Sequence, residues 1–353
     1  MIKNKVVIYG SYGYTGKLIV AEAKSKRLPV VLAGRNKSAL KQQSDETGFP
    51  FDVVDIQNSA SLENLLLSAI VVIHCAGPFQ YTAQRMIEAC LKTKTHYTDI
   101  TGEYQVFELL AQYDLQAKQS GIMVMPGVGF DVVPSDCLAV HLKSRLPSAT
   151  HLQLAFAMSK GGLSRGTTKT MIEGLGEGSK IRYEGKLKTI PLGDRTLEID
   201  FNGNRTPTLC IPWGDIATAW RSTGIPNIEV YSAATPTMIS NAKRSRYLNW
   251  LLRKRWLKNF LLKKVDQRAA GPSDERRSAG RSYLWGKVWN AKNESRVSTL
   301  ETVSGYSLTA ITAVLISQKI INGHITVGYQ TPAMAYGADL ILEVQETQRK
   351  DVS

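Results

Sequence analysis

Glycines at positions 10, 13 and 16, within Gly10-Ser11-Tyr12-Gly13-Tyr14-Thr15-Gly16, are the first residues whose type and spacing suggest chemistry. They follow a short β-branched run at 5–9 (KVVIY) and precede a stretch of helical composition at 15–26. A side chain at such a turn would hold a pyrophosphate away from the backbone, whereas glycine lets the N–H groups reach it. The helix that follows turns its N-terminal donors and the positive end of its dipole toward the same phosphates. GxxGxxG is a variant of the commoner GxGxxG, and three spaced glycines alone are a weak signal. Set between a strand and a helix, they point to a dinucleotide held by Gly10, Ser11, Tyr12, Gly13, Tyr14, Thr15 and Gly16. The bland alternative is a glycine-rich turn without a ligand.

The end of the next strand selects the dinucleotide. NAD sites usually place an acid there for the ribose 2′-hydroxyl. Here the chain reads Ala33-Gly34-Arg35-Asn36-Lys37, with no acid at the tip. Arg35 can clamp a 2′-phosphate with its planar fork and Lys37 can add charge, so NADP(H) is expected over NAD(H). An arginine merely exposed on a loop would read the same way. Asp55, after the third strand, is placed either to meet the adenine end or to cap a helix starting near Ser59. After the fourth strand comes His74-Cys75-Ala76-Gly77-Pro78-Phe79. Its small residues Ala76, Gly77 and Pro78 let the backbone approach the nicotinamide ribose, and Phe79 could wall the ring. His74 reads as a strand residue with a local partner. Cys75 reads as a buried thiol, because no base is identifiable beside it.

Hydride transfer to C=C or C=N leaves charge that a positioned acid must neutralise. Two groups at strand ends could supply it: Tyr97, Asp99, Thr101 and Glu103, then Phe130, Asp131, Ser135 and Asp136. Tyr97 and Asp131 are the candidate catalytic residues, since a phenol or a desolvated carboxyl can donate near neutrality. The competing reading makes Asp99 and Asp136 helix caps, with Glu103 completing such a cap. Arg165 and Lys169, in the run GGLSRGTTKT, either bind an anionic substrate group or form a solvated face.

These residues need a scaffold, and the chain supplies one. Strand-like runs at 5–9, 29–33, 51–54, 70–75, 96–99 and 122–125 alternate with helical stretches at 15–26, 37–47, 61–67, 83–92 and 104–119. That alternation predicts an α/β Rossmann-type parallel sheet whose ligand lies beyond the C-terminal strand ends. Between about 134 and 304 the rhythm changes, with strand-like segments at 150–158, 196–201, 227–232 and 282–291. They predict a second α+β domain with a mixed or antiparallel sheet. A helix at 307–321 and the segment 328–342 close the chain. A length of 353 residues suits two domains, and 43% hydrophobic with 21% charged residues suits a folded chain. No apolar run reaches 18 residues, and Met1-Ile2-Lys3-Asn4-Lys5 has no signal-peptide character, so no spanning segment or leader is expected. Cys75, Cys90, Cys137 and Cys210 form no CxxC pair or metal-ligand pattern. Reduced thiols, a cytoplasmic setting and no metal are the expectation.

The net charge of +14 is local. Nine Lys or Arg and no acid fall between 243 and 264, and taking nine from fourteen leaves about +5 for the rest. The surrounding segment 245–265, from Ser245 to Val265, reads SRYLNWLLRKRWLKNFLLKKV and mixes Trp250, Trp256 and Phe260 with the cations. Projected on a helix, both kinds of residue run nearly all round it. Three readings stay open: a peripheral membrane contact, the wall of an apolar substrate tunnel, and a dimer-interface helix. Nucleic acid is not an expected partner, because no recognition module surrounds the charges.

In their order along the chain, the motifs GSYGYTG (10–16), AGR (33–35), CAGPF (75–79), HYTDITGE (96–103), GVGFDVVPSD (127–136), GPSDERR (271–277) and TPAMAYGADLILE (331–343) resemble the saccharopine dehydrogenase-like oxidoreductases. The resemblance is to the branch that includes trans-acting enoyl reductases. It implies a discontinuous dinucleotide domain of 1–133 with about 305–353, a substrate and dimerisation domain of about 134–304, a homodimer, and NADP(H)-linked reduction of a hydrophobic acyl-lipid or enoyl substrate. Two alternatives stand beside it: reduction of a small amino-acid imine, as in saccharopine chemistry, and a dinucleotide-binding sensor or scaffold without turnover.

Overall fold

β1 (Lys5–Tyr9) is apolar on both faces because it lies in mid-sheet, with Val6, Val7 and Ile8 wholly inaccessible to solvent. A computed structural model describes residues 3–159 and 162–353; Met1, Ile2 and Gly161, which the sequence reading touches, lie outside them. Parallel neighbours flank β1: β2 (Val30–Gly34) on one side, β4 (Ala69–His74) on the other. With β3 (Phe51–Val53), β5 (His96–Asp99), β6 (Met123–Met125) and the late strand Gly328–Tyr329, they make a seven-stranded sheet. Its order is Gly328–Tyr329, β6, β5, β4, β1, β2, β3, and every pairing is parallel. The chain therefore winds one way from β1 to β3 and the other way from β4 to β6. The loops after β1 and β4 meet at this reversal, where ligands of such sheets bind.

The connecting helices are α1 (Tyr14–Ser25), α2 (Lys37–Thr47), α3 (Ser59–Leu66), α4 (Ala83–Thr93), α5 (Tyr104–Ala111) and α6 (Asp114–Ser120). Asn36 caps α2 by accepting from the Ala39 N–H at 3.1 Å. Asn58 caps α3 in the same way, accepting from Ser61 at 3.1 Å. The cap reading of Asp55 is thereby corrected: its carboxylate accepts from the Gln57 N–H at 2.9 Å and leaves α3 to Asn58. The single helix expected at 104–119 is broken after Ala111. Asp114, which restarts it, accepts from the Tyr329 N–H at 2.8 Å and so ties α6 to the edge strand of the sheet.

Two compact units result. One runs up to Val133 and regains Tyr306–Ala335; the other holds Pro134–Gly305 and Tyr336–Ser353. The expectation that all of 305–353 returns to the first unit is corrected, because Gln348–Asp351 pairs antiparallel with a strand of the second. That second sheet has nine strands: β7 (His151–Ser159), β8 (Ser179–Tyr183), β9 (Lys186–Ile190), β10 (Thr196–Phe201), β11 (Asn204–Cys210), β12 (Asn227–Ala233), β13 (Arg281–Trp289), β14 (Ser295–Val303) and Gln348–Asp351. It is mixed: β7 and β12 run parallel, and the other pairings are antiparallel. β13 is its backbone, pairing along its whole length with both β7 and β14, and its residues alternate between buried and half-buried.

The turn between β1 and α1 is tight enough to test. A Cβ at Gly16 would lie 2.5 Å from the Gly10 carbonyl oxygen and 2.7 Å from that of Ser11. Both obstacles are backbone, so the turn itself must move. Gly16→Ala is expected to cost about 1–3 kcal/mol, read as a lower thermal midpoint of unfolding. An unchanged midpoint would show that the turn is looser than described.

Candidate functional site

The first turn of α1 has neither a capping side chain nor an acid, so its N-terminal end is left for an anion. Gly10 takes a left-handed conformation, φ +82°, and a Cβ there would lie 3.0 Å from the Ala76 N and Cβ atoms. The loop after β4 thus packs directly on the loop after β1. A side chain at 10 or 16 would collide with this backbone, so glycine at both keeps the turn tight beside the uncapped N-terminus of α1. The cradle fits a dinucleotide on geometry alone.

A second helix steadies this turn. Ser11 is fully buried; its hydroxyl donates to Gln43 Oε1 at 2.7 Å, and Gln43 Nε2 donates back to the Ser11 carbonyl at 3.0 Å. Gln43 belongs to α2, whose N-terminus follows Arg35 and Asn36 directly. Tyr12 packs against Gly34, where a Cβ would lie 2.6 Å from its ring. Arg35 and Lys37 are exposed, and Arg35 makes no hydrogen bond or ion pair among the described residues. Asp55, also exposed, follows β3 on the same edge.

Around Ala76, Gly77 and Pro78 the polar groups are committed to holding the loop. His74 is fully buried, and its Nε2 lies 2.9 Å from Thr82 Oγ1. That hydroxyl donates to the Ala76 carbonyl at 2.9 Å, so the histidine is the donor of the pair. Burial pulls His74 down to about 3, which keeps it neutral. Burial likewise pushes the Cys75 thiol up, far from a thiolate nucleophile. Glu103 accepts from the Phe79 and Gln80 N–H groups, each at 2.9 Å. Its carboxylate thus caps the short turn Phe79–Tyr81, and makes no such bond to its own helix α5.

Asp99 sits at the end of β5 with no solvent exposure. Its carboxylate accepts from Tyr97 Oη at 2.6 Å, Thr101 N at 3.0 Å and Gly127 N at 2.9 Å, joining the loops after β5 and β6 rather than capping a helix. Burial is the larger influence and pushes it up to about 6, opposed by these donors. Tyr97 is buried among Val72, Ile87, Cys90 and Val124. Burial, with Asp99 beside it, raises its phenol well above the ordinary value. The expectation that Tyr97 donates to a substrate is corrected here: its hydroxyl is spent on Asp99 inside the core, so it positions that carboxylate.

Asp131, in the loop after β6, is half-buried, and its carboxylate packs on Gly102, where a Cβ would lie 2.5 Å from Oδ2. Desolvation, followed by the negative charge of Glu103, pushes it up to about 7. In the second unit, Asp136 accepts from the Ser222 hydroxyl at 2.5 Å. Lys169 pairs with Asp266 at 2.6 Å, and Arg165 donates to the Asp266 carbonyl at 3.3 Å, so both of these cations are engaged with protein.

Three supporting residues escaped the sequence reading. Thr309 accepts from the Phe130 N–H at 3.0 Å, and Thr312 donates to the Val128 carbonyl at 2.7 Å, fastening the loop of Asp131 to the helix Gly305–Ile321. Nothing local signals partners so far apart in sequence. Gln43 had a readable signal, a polar residue three positions after Leu40 on the buried stripe of α2.

Two substitutions separate the roles of α2. Arg35→Ala is expected to weaken NADPH binding about 10- to 150-fold, the range of a charged hydrogen bond, with NADH nearly unaffected. Gln43→Leu loosens the glycine turn and should weaken NADPH and NADH alike. Titration calorimetry checks both; equal losses in Arg35→Ala would remove its 2′-phosphate role.

Residues 6–125 match the model of the saccharopine dehydrogenase NADP binding domain. A saccharopine dehydrogenase-like oxidoreductase of Homo sapiens is 29% identical over 215 residues, covering 53% of this chain and 50% of the relative. The trans-acting enoyl reductase of Mycobacterium ulcerans (strain Agy99) is 30% identical over 149 residues, covering 40% of this chain and 36% of that protein. The chain spans about half the length, or less, of the curated relatives it matches. The fold is similar to that of apo histidine-tagged saccharopine dehydrogenase (L-Glu forming) from Saccharomyces cerevisiae, with a TM-score of 0.68 at 13% identity, covering 99% of this chain and 100% of that one. Over residues 6–125 the chain is thus similar to the saccharopine dehydrogenase NADP binding domain, and over about half its length to saccharopine dehydrogenase-like oxidoreductases.

Proposed function

We propose that the chain is an NADP(H)-dependent reductase of a hydrophobic acyl or enoyl substrate, with Asp131 as its proton donor. The observation that carries this reading is a carboxyl held near neutrality on the strand-end edge that also bears the glycine cradle. The enoyl reductase among the relatives supports the substrate class. Four unpaired cysteines support a reducing, cytoplasmic compartment.

Gly10 to Gly16 and the start of α1 would hold the pyrophosphate, Arg35 and Lys37 the 2′-phosphate, and Ala76, Gly77 and Pro78 the nicotinamide ribose. When bound, NADPH supplies a hydride. Asp131 supplies the matching proton to the substrate atom left with negative charge, and takes another from solvent afterwards. Glu103 favours the protonated form of Asp131 by its charge, while its own oxygens are committed to Phe79 and Gln80.

The pH dependence follows. A carboxyl whose value is raised on folding is neutral below about 7 and loses its proton as the pH climbs through that point. The rate should therefore fall as pH rises through about 7, and so should the stability that the neutral carboxyl contributes, full only below the unfolded value of 3.8. Asp131→Asn is expected to cut kcat about 10²- to 10⁴-fold, to abolish this limb, and to leave NADPH affinity little changed. NADPH absorbance followed with enoyl thioesters, and separately with an amino acid plus a 2-oxo acid, reads the rate. Turnover confined to the second mixture would favour the imine reading. Tight NADPH binding without turnover of either would favour a sensor or scaffold.

A further inference from the structure

Trp250 and Trp256 turn outward, 65% and 63% exposed, where tryptophan is ordinarily packed away. With Tyr247 at 69% and Phe260 at 51%, they crowd the stretch from the turn Arg246–Leu248 through the helix Arg255–Asp266. Trp256, Phe260 and Lys264 are spaced four residues apart and share one helical face. Lys264 lies 4.6 Å from the centre of the Phe260 ring, and Arg246 lies 4.7 Å from that of Tyr247.

Other cations of the segment face the protein. Lys258 is buried and donates to the Glu173 carbonyl, Arg253 donates to the Gly176 carbonyl at 3.0 Å, and Arg255 pairs with Glu173 at 2.9 Å. The usual arrangement of a surface helix is thus partly inverted, with aromatic rings in water and several charges holding the helix down. This inversion is why the sequence projection showed both kinds of residue all round. Six further cations are exposed: Lys243, Arg244, Arg246, Lys254, Lys263 and Lys264. No acid lies between 243 and 264.

We propose that this surface docks on an anionic lipid bilayer. Exposed Trp and Tyr flanked by Lys and Arg suit the headgroup layer, where rings enter the interface and cations meet lipid phosphates and carboxylates. A second copy of the chain is the poorer occupant. A two-fold contact through this patch would set the same six cations against their own images with no acid between them.

The test uses the full chain with vesicles of phosphatidylcholine, with or without phosphatidylserine. The protein is expected to float with the anionic vesicles at low salt, with a blue shift in tryptophan emission. Release should follow as salt shortens the Debye length to about 3 Å near 1 M. Lys263→Gln and Lys264→Gln should each weaken partitioning about fivefold at low salt. Trp256→Ser combined with Phe260→Ser should abolish it, while circular dichroism and thermal unfolding stay near those of the parent. Failure to float at low salt, or equal flotation on vesicles lacking phosphatidylserine, overturns the proposal. So does a dimer in light scattering that the double serine variant dissolves.

Discussion

Asp99 is the fixed point from which the cofactor edge is built. Its carboxylate and its carbonyl together engage Tyr97, Thr101, Gly127 and Val128, so the loops after β5 and β6 hang on one buried residue. The constraint propagates outward. Thr101 accepts from the Glu103 N–H at 3.0 Å, Glu103 holds Phe79 and Gln80, and the loop they belong to presses Ala76 against Gly10. A line of contacts thus runs from the middle of the sheet to the phosphate turn. A buried carboxylate is tolerable only when its lone pairs are satisfied, and satisfying this one is what orders the loops.

A separate tie fixes the other side of the turn. Gln43 joins the Ser11 loop to α2, so whatever moves the start of α2 is felt at the pyrophosphate site. Arg35 is the opposite case, an exposed side chain free to adapt to what it meets. In the proposed reading, rigid backbone would meet the common part of the cofactor and an exposed cation the distinguishing phosphate. Backbone N–H groups gain from being pre-set, whereas a long arginine can reorganise around a charge at little cost to the fold.

The parallel sheet was legible because buried strands write themselves as apolar runs, and β1 and β4 are each buried but for one half-buried residue. The second sheet was legible only in part. β9 shows four exposed residues in five and Gln348–Asp351 is polar throughout, so neither carries the alternation that announces a strand. The same polarity misassigned the end of the chain, whose pairing with β14 rests on backbone and on polar contacts such as the Ser298 hydroxyl donating to Asp351 at 2.7 Å. At the site, the glycine turn could be read because the close approaches at Gly10 and Gly16 demand that residue type. Tyr97 misled because its type suits proton donation while its burial forbids it, and alternation along four residues cannot tell a strand tip from a strand interior. Thr309 and Thr312 serve a loop nearly two hundred residues earlier, a relation that only folding creates.

Two nearby carboxyl groups rarely do the same job, and here the surroundings part them. Glu103 has two backbone donors aimed at it, which fixes its position and occupies its oxygens. Asp131 lies against Gly102 in a poorly solvated place, with the charge of Glu103 near enough to oppose its own. One residue is set to stay put and carry charge; the other is set to exchange a proton near neutrality. The proposed proton delivery thus depends on Glu103 as much as on Asp131. A variant that released Glu103 from the Phe79 turn would disturb both the ribose loop and the acid at once. The close approach at Gly102 matters as well, since a Cβ there would lie 2.5 Å from Asp131 Oδ2 and displace the carboxyl from the poorly solvated place that raises it.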